Sequence, residues 1–287
     1  MKNILTVDVE DWFHILEVNS SPDLTRWDKL ESRVEKNFFN MLDLFDEYDV
    51  KTTCFFLGWI VEKHPQLVLE ASKRGHEVAS HGYAHRLVYT QTRDEFYEDI
   101  YKSKKLIEDV CGEEVISYRC PGFSITENTP WAFEEIVRAG YKCDSSIFPA
   151  SRGHGGLSGA NIYPHVISTE LGNLIEFPIT ISNVMGKEFC FFGGGYLRLF
   201  PSNLIKKMSQ KVNAEDRPVI FYIHPREIDP SHPRLEMNAL RKFKSYVNLK
   251  TTYPKLKMIL SEFELVTMLR YIAENFPTTF AEKPELL

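Results

Sequence analysis

Two histidines four residues apart, His81 and His85, are the residues whose types and spacing most directly suggest chemistry. On one helical turn, positions i and i+4 lie on the same face, so both imidazoles could converge on one point. Two neutral imidazoles and one carboxylate make a good site for a divalent metal ion that keeps positions open for water and substrate. The spacing therefore predicts a metal site, provided that another segment supplies the carboxylate.

The beginning of the chain carries the acids that such a site needs. Residues 4–9 are typical of a buried strand rich in β-branched side chains, and Asp8, Glu10 and Asp11 cluster at its end. Carboxylates at the end of a buried strand are costly unless they are paired or bound to a metal. We therefore expect the missing carboxylate to come from this cluster.

Predicted strands and helices alternate along the chain, which indicates a parallel sheet covered by helices. Active sites of (β/α) barrels are built at the carboxyl ends of strands, whereas a dinucleotide fold needs a glycine-rich fingerprint after its first strand, and none occurs here. We therefore predict an α/β fold of the distorted or incomplete (β/α) barrel type rather than a doubly wound sheet. The chemically interesting residues that follow predicted strands are Asp8, His81, Arg119, Asp144 and His224.

Three other segments have a distinct composition. Residues 148–171 are rich in glycine, serine and proline, which predicts a long irregular segment of the kind that is usually functional. Glycines 193–195, just before Tyr196, allow the backbone either to pass close to a ligand or to form a tight turn. Residues from about 235 are mainly helical, and no repeat or linker divides the chain, so we expect a single domain over residues 1–287.

Length and charge narrow the classes of function. The 287 residues suffice for a sizeable core, and a net charge of −6 argues against nucleic acid as the main partner. No segment approaches the roughly 20 apolar residues of a membrane span, and the first residues do not read as a signal peptide. The five scattered cysteines suggest reduced thiols. We expect a cytoplasmic protein without a membrane span, and we make no prediction of its oligomeric state.

Five ordered motifs between about residues 3 and 226 resemble those of the polysaccharide deacetylases, carbohydrate esterase family 4. The start of the chain, the glycines before Tyr196 and the His224–Pro225 pair further resemble a subgroup found in bacterial exopolysaccharide and O-antigen gene clusters. The resemblance implies a metal-dependent hydrolase that removes N-acetyl groups from an amino sugar of a polysaccharide or its precursor. The motifs are residues 6–11, 81–85, 119–123, 144–146 and 223–224.

The resemblance also implies catalytic roles. Asp8 is expected to be the catalytic base and His224 the general acid, while Arg119 holds the base. Asp144 is expected to orient Arg119 or another neighbouring group. A histidine that donates a proton near neutral pH must be protonated there, so we expect a nearby acid, Asp144 or Glu227, to keep His224 charged.

A divalent metal, most simply zinc, is implied as the cofactor, with His81 and His85 as ligands. The third ligand is ambiguous between Glu10 and Asp11, because Val9 separates Asp8 from Glu10 where the family's commonest motif has two adjacent aspartates. Side-chain alternation along a strand favours Glu10.

Substrate contacts are implied for Phe123, Gly194 and Tyr196, and the expected partner is an N-acetylated sugar. A cytoplasmic location would favour a nucleotide- or lipid-linked precursor over assembled polymer. The competing functions are an amidase acting on a small non-sugar amide and a non-catalytic carbohydrate-binding relative. A two-histidine-one-carboxylate iron oxygenase is disfavoured, because its usual frame is all-β.

Overall fold

The computed structural model describes residues 1–16, 18, 20–151 and 155–276. Its strands are β1 (Asn3–Val9), β2 (Thr53–Phe56), β3 (Glu77–Ser80), β4 (Ser117–Tyr118), β5 (Cys143–Asp144), β6 (His165–Thr169), β7 (Gly172–Glu176), β8 (Ser182–Val184), β9 (Lys187–Phe189), β10 (Ile220–Ile223) and β11 (Leu265–Val266). Its α-helices are α1 (Leu24–Trp27), α2 (Val34–Glu47), α3 (Gly58–Lys63), α4 (Pro65–Lys73), α5 (Arg93–Cys111), α6 (Ala132–Arg138), α7 (Gly194–Leu199), α8 (Ser202–Asn213), α9 (Ala239–Tyr246), α10 (Thr252–Glu262) and α11 (Met268–Asn275). Short 3-10 helices occur at Trp12–His14, Val88–Thr90, Pro121–Phe123, Pro225–Ile228 and Leu249–Thr251.

The sheet confirms the predicted incomplete (β/α) barrel. Its strands lie in the order β10-β1-β2-β3-β4-β5-β7-β6, and β11 adds to β1. Neighbouring strands are parallel except for β6, which is antiparallel to β7. Within the part of the chain that the structure describes, the end strands β10 and β6 do not pair, so the barrel stays open.

Strand β1 is buried along its whole length and pairs with β10, β2 and β11. A strand that is apolar on both sides suits a parallel sheet with both faces covered. Its register aligns Val7 with Ile223 of β10 and Val9 with Phe56 of β2, and Phe56 aligns in turn with Ser80 of β3. The residues just beyond these strands therefore meet at one edge of the sheet.

Helix α5 shows how local sequence starts an element. Thr92 Oγ1 accepts a hydrogen bond from the Glu95 backbone N–H (3.3 Å), and Glu95 Oε2 accepts one from the Thr92 N–H (2.8 Å). This capping box satisfies donors that the first helical turn leaves unpaired, as the sequence predicts. The buried side chains of Phe96, Ile100 and Ile107 then hold the helix against the core.

Several elements differ from the sequence-based expectations. Strand β6, which pairs with β7, lies inside the segment 148–171 that we expected to be irregular, and residues 152–154 of that segment lie outside the described residues. The sequence pattern also did not predict α3, α7, α8 or the β8–β9 hairpin. Among the described residues, none of the helices combines the length and apolar character needed to cross a membrane.

Candidate metal centre and active site

Glu10, His81 and His85 form a compact group at the carboxyl edge of the sheet. Glu10 Oε1 lies 3.1 Å from His81 Nε2 and 2.9 Å from His85 Nε2, and all three side chains are buried. Burial alone would raise the pKa of Glu10, but attraction to His85 and His224 and hydrogen bonds from His81 and His85 hold that pKa well below its usual range. The group therefore combines an ionised carboxylate with two imidazole nitrogens, a ligand set suited to a divalent metal.

The tautomer of His81 indicates that a cation belongs between these groups. His81 Nδ1 lies 2.7 Å from the Arg119 carbonyl oxygen, which can only accept, so Nδ1 carries a hydrogen. In the neutral ring Nε2 then presents a lone pair to the Glu10 carboxylate, and two acceptors at this distance need a proton or a metal ion between them. A second nitrogen that donates to a carbonyl is also how metal-bound histidines are usually oriented. The residues present therefore fit a metal ion.

The two histidines converge through a loop, so the expectation of a helical turn is wrong. Gly82 (φ +73°) and His85 (φ +53°) both have left-handed backbone conformations. Asp99 of α5 holds the loop, because its carboxylate accepts hydrogen bonds from the backbone N–H groups of Tyr83 (2.8 Å) and Ala84 (3.1 Å). A Cβ on Gly82 would lie 2.8 Å from Asp99 Oδ2, so this position needs glycine for its space as well as its conformation.

Asp8 lies beside the metal group and is held by Arg119. Asp8 Oδ1 accepts a hydrogen bond from Arg119 Nη1 at 2.7 Å, and both side chains are buried. The same guanidinium donates to Thr6 Oγ1 (2.7 Å), Ser145 Oγ (2.9 Å) and the Ser145 carbonyl (3.2 Å). Because Oδ1 is occupied, Oδ2 is the carboxylate oxygen that is directed toward His224, at 3.8 Å from its Nε2.

Asp144 contacts a neighbouring group rather than Arg119. Its Oδ1 accepts from Ser146 Oγ (2.6 Å), and Ser146 Oγ accepts from the backbone N–H of Cys120 (2.8 Å). The residue that holds Arg119 is instead Ser145, which the sequence did not single out. Burial raises the pKa of Asp144 to about 6, and burial beside Asp144 raises that of Glu176 well above its usual range. Asp144 therefore shapes the loop that follows β4.

His224 is oriented by Glu227, which sequence reasoning left open. His224 Nδ1 and its backbone N each lie 3.0 Å from Glu227 Oε2, and Arg198 pairs with the other carboxylate oxygen. Since a carboxylate accepts, the ring hydrogen lies on Nδ1, and Nε2 is directed at Asp8 and Glu10. The three-residue spacing on a tight turn was the only sequence signal for this contact.

The charge of His224 differs from our expectation. Burial lowers the pKa of His224 to about 4, and the positive charge of Arg226 lowers it further, against the opposing effect of Glu10 and Asp8. The imidazole is therefore neutral near pH 7 in the free protein, whereas we expected it to be charged. Asp144, the other acid expected to keep His224 charged, instead accepts a hydrogen bond from Ser146.

Asp11 is directed away from the metal group toward the start of α2. Its Oδ2 accepts from Ser32 Oγ (2.7 Å) and from the backbone N–H groups of Arg33 (2.8 Å) and Val34 (3.2 Å). Its Oδ1 accepts from the Trp12 N–H at 2.8 Å. The carboxylate thus caps two helices, and Glu10 is the acid that the structure brings to the histidines.

We expect Asp11→Ala to lower the free energy of unfolding by about 2 kcal/mol or more, because several backbone donors lose their acceptor. The same variant should keep its metal. Urea unfolding and metal analysis measure the two effects. Asp23→Ala, which removes an exposed cap of α1, is the matched control and should change stability much less. Loss of metal in Asp11→Ala without a loss of stability would contradict this assignment.

The three residues predicted to contact substrate differ in their surroundings. The Phe123 ring is buried 5.3 Å from the Tyr222 ring. A Cβ on Gly193 would lie 2.1 Å from Tyr222 ring atoms, so the glycine run brings the backbone close to Tyr222. Gly194 (φ +51°) begins α7, on which Tyr196 is 44% exposed. Their contacts with substrate stay a prediction.

Family models match the two halves of the chain separately. Residues 25–143 match the model of the polysaccharide deacetylases, and residues 145–273 match a model described as a domain of unknown function, DUF3473. Among curated relatives, a peptidoglycan-N-acetylglucosamine deacetylase of Bacillus cereus is 30% identical over 102 residues, which are 36% of this chain and 46% of that protein. A peptidoglycan deacetylase of Helicobacter pylori is 29% identical over 107 residues, 37% of this chain and 36% of that protein. The matches thus span less than half of these relatives.

Two solved structures have a similar fold. One is a putative polysaccharide deacetylase from Mycobacterium smegmatis, with a TM-score of 0.61 and 18% identity over 94% of this chain and 88% of that one. The other is Puue allantoinase, with a TM-score of 0.60 and 15% identity over 96% of this chain and 90% of that one. At these identities the likeness describes the fold alone, and it agrees with the open barrel seen here.

Proposed function

We propose that this chain is a metal-dependent hydrolase of the polysaccharide deacetylase type that removes the N-acetyl group from an amino sugar of a polysaccharide or its precursor. The observation that carries the proposal is the single cluster formed by the Glu10–His81–His85 group, the Asp8–Arg119 pair and His224. Amide hydrolysis needs an activated water, a stabilised oxyanion and a proton for the departing amine. This cluster contains a base, a proton donor and the ligands for a metal ion that would stabilise the oxyanion.

Glu10, His81 and His85 would hold the metal, and their one carboxylate and two imidazoles suit zinc. When bound, such an ion lowers the pKa of a coordinated water to about 7 and polarises the acetyl carbonyl. Asp8 would accept a proton from the attacking water on Oδ2, because Arg119 occupies Oδ1 and fixes the carboxylate's orientation. Removal of that proton would allow the water oxygen to bond to the carbonyl carbon before the C–N bond breaks.

The proton that Asp8 removes from the water is the one that later protonates the departing amine. His224 is neutral before the reaction, so its Nε2 must receive a proton before it can donate one. Asp8 Oδ2 lies 3.8 Å away, close enough to pass on the proton after a small movement. His224 delivers that proton to the departing nitrogen, while Glu227 keeps the other ring hydrogen on Nδ1. The products are acetic acid and the amine, and the remaining proton of the water passes from the acid to the amine or to solvent near neutral pH.

We expect the purified, metal-loaded protein to release acetate from N-acetylated saccharides and to leave one free amine for each acetate. Mass spectrometry of the sugar, together with an acetate assay, measures both products. A small N-acetylated amide without a sugar, offered in parallel, is the control for specificity. Turnover of that amide alone would support an amidase, and sugar binding without turnover of either compound would support a non-catalytic relative.

A further inference from the structure

Arg226 lies beside the proposed site, and part of its guanidinium has no hydrogen-bond partner among the described residues. It lies on the 3-10 turn Pro225–Ile228, between His224 and Glu227. Its Nε and Nη1 atoms are buried and have no hydrogen-bond partner among the described residues. By contrast, Arg119 pairs with Asp8, and Arg198 pairs with Glu227. Arg226 is therefore not explained by the contacts that organise the catalytic residues.

An unpaired guanidinium in this position costs stability. Burial lowers the pKa of Arg226, and the positive charge of Arg241 lowers it further, against the attraction of Glu10. A charged group that gives up water without gaining a partner destabilises a fold. Such a cost persists most readily where a ligand supplies the missing partner, as at binding sites that trade stability for function.

His14 is a second unpaired donor in the same region. The side chain is 2% exposed, and its ring centroid lies 5.8 Å from that of His85. His14 Nδ1 accepts a hydrogen bond from the backbone N–H of Asp11 at 3.1 Å. In the neutral ring the hydrogen is therefore on Nε2, which is buried without a partner among the residues described. Both unpaired groups thus offer N–H donors and need acceptors.

The charge of the site favours an anion as that acceptor. Arg119 neutralises Asp8, so a divalent metal on Glu10 would leave the cluster positive even before Arg226 is counted. A planar guanidinium presents two parallel N–H groups, a geometry that matches a carboxylate or a phosphate. A neutral sugar hydroxyl would leave much of this charge unpaired.

We propose that Arg226 and His14 form a subsite for an anionic group of the substrate, a carboxylate or a phosphate carried by the N-acetylated sugar or by the unit next to it. The inference rests on the proposed function, because it places this anion beside the acetyl group that is removed. It narrows the substrate class to acidic amino sugars or sugar phosphates. Neutral chitin-like chains would bind the same site more weakly.

The test measures binding to the metal-loaded Asp8→Asn protein, which should not turn substrate over. The three probes are N-acetylglucosamine, its 1-phosphate and N-acetylglucosaminuronic acid, measured by titration calorimetry. We expect at least one anionic sugar to bind about tenfold more tightly than the neutral sugar, as expected for a charge-assisted pair. The two anionic probes distinguish a phosphate from a carboxylate. Equal binding of all three probes would overturn the proposal.

Two variants test whether Arg226 and His14 cause the preference for an anionic sugar. Arg226→Gln in the Asp8→Asn background should remove the preference for the anion and leave the affinity for N-acetylglucosamine unchanged. His14→Phe should reduce the preference less, because it removes one neutral donor. Arg234→Gln, the matched control, changes an exposed arginine of the same segment and should keep the preference. An equal loss of affinity for neutral and anionic sugars in Arg226→Gln would refute the subsite.

Stability supplies an independent readout. Because Nε and Nη1 of Arg226 are buried without a hydrogen-bond partner among the described residues, Arg226→Gln should unfold at the same temperature as the parent protein or at a higher one when no sugar is present. A large decrease in the unfolding temperature would reveal a structural partner and overturn the proposal. None of these measurements depends on turnover, so failure of the anion subsite and failure of the deacetylase function are separate results.

Discussion

Asp8→Asn is expected to lower turnover by about 10²–10⁴-fold, the usual contribution of a general base, while the protein keeps its metal. The carboxamide has nearly the shape of the carboxylate, and its oxygen can still accept from Arg119 Nη1. The nitrogen that replaces Oδ2 cannot accept a proton from water, and it cannot pass one to His224 Nε2, 3.8 Å away. The proton path is therefore broken at its first step.

Steady-state kinetics and metal analysis of the same preparation test this expectation. The variant also leaves Arg119 buried without its counter-charge, so its unfolding must be compared with that of the parent protein. Asp229→Asn is the matched control, because Asp229 pairs with Arg33 outside the proposed proton path. Near-normal turnover by folded, metal-bound Asp8→Asn would show that another group is the base.

Glu10→Gln and His81→Ala are expected to lose metal affinity by more than about 100-fold, since even the loss of an outer-shell partner can cost that much. Glu10 supplies the negative charge of the group, and its Oε1 lies within 3.1 Å of a nitrogen of each histidine. The glutamine keeps the shape but offers only a neutral oxygen. His81→Ala removes a ligand that the Arg119 carbonyl holds in place.

Metal content after dialysis against a weak chelator measures the loss. His76→Ala is the matched control, because His76 is also buried but hydrogen-bonds the backbone N–H of Thr52 at 3.1 Å, away from the group. It should keep its metal even if it is less stable. Parent-like metal content in both Glu10→Gln and His81→Ala would show that these residues do not bind the metal.

The barrel could be predicted from the chain because its signals are local. Strands such as Asn3–Val9 and Ile220–Ile223 are rich in apolar and β-branched residues, and the Thr92–Glu95 pair marks the start of a helix. Burial of apolar runs in a parallel sheet leaves little choice of architecture. The residues that follow these strands can accordingly be identified from the sequence.

The geometry of the metal group depends on contacts that no local pattern reveals. The His81–His85 spacing indicated the pair, but a loop held by Asp99 brings it together, where a helix was expected. Side-chain alternation already favoured Glu10 over Asp11, and the contacts of Asp11 with the backbone N–H groups of Arg33 and Val34 explain why Asp11 does not face the histidines. Residues that are adjacent in the chain can face different partners, and only packing selects between them.

The charge states of the residues in the candidate site differ most from the sequence-based expectations. Sequence reasoning expected a protonated His224, because an acid nearby would favour it, whereas burial and Arg226 lower its pKa to about 4. The sequence likewise does not show that Nε and Nη1 of Arg226 lack a partner, because an arginine beside a glutamate is typical of an ordinary polar turn. Residue types and strand order thus follow from the chain, but desolvation and the pairing of charges arise only when segments distant in sequence exclude water from one another.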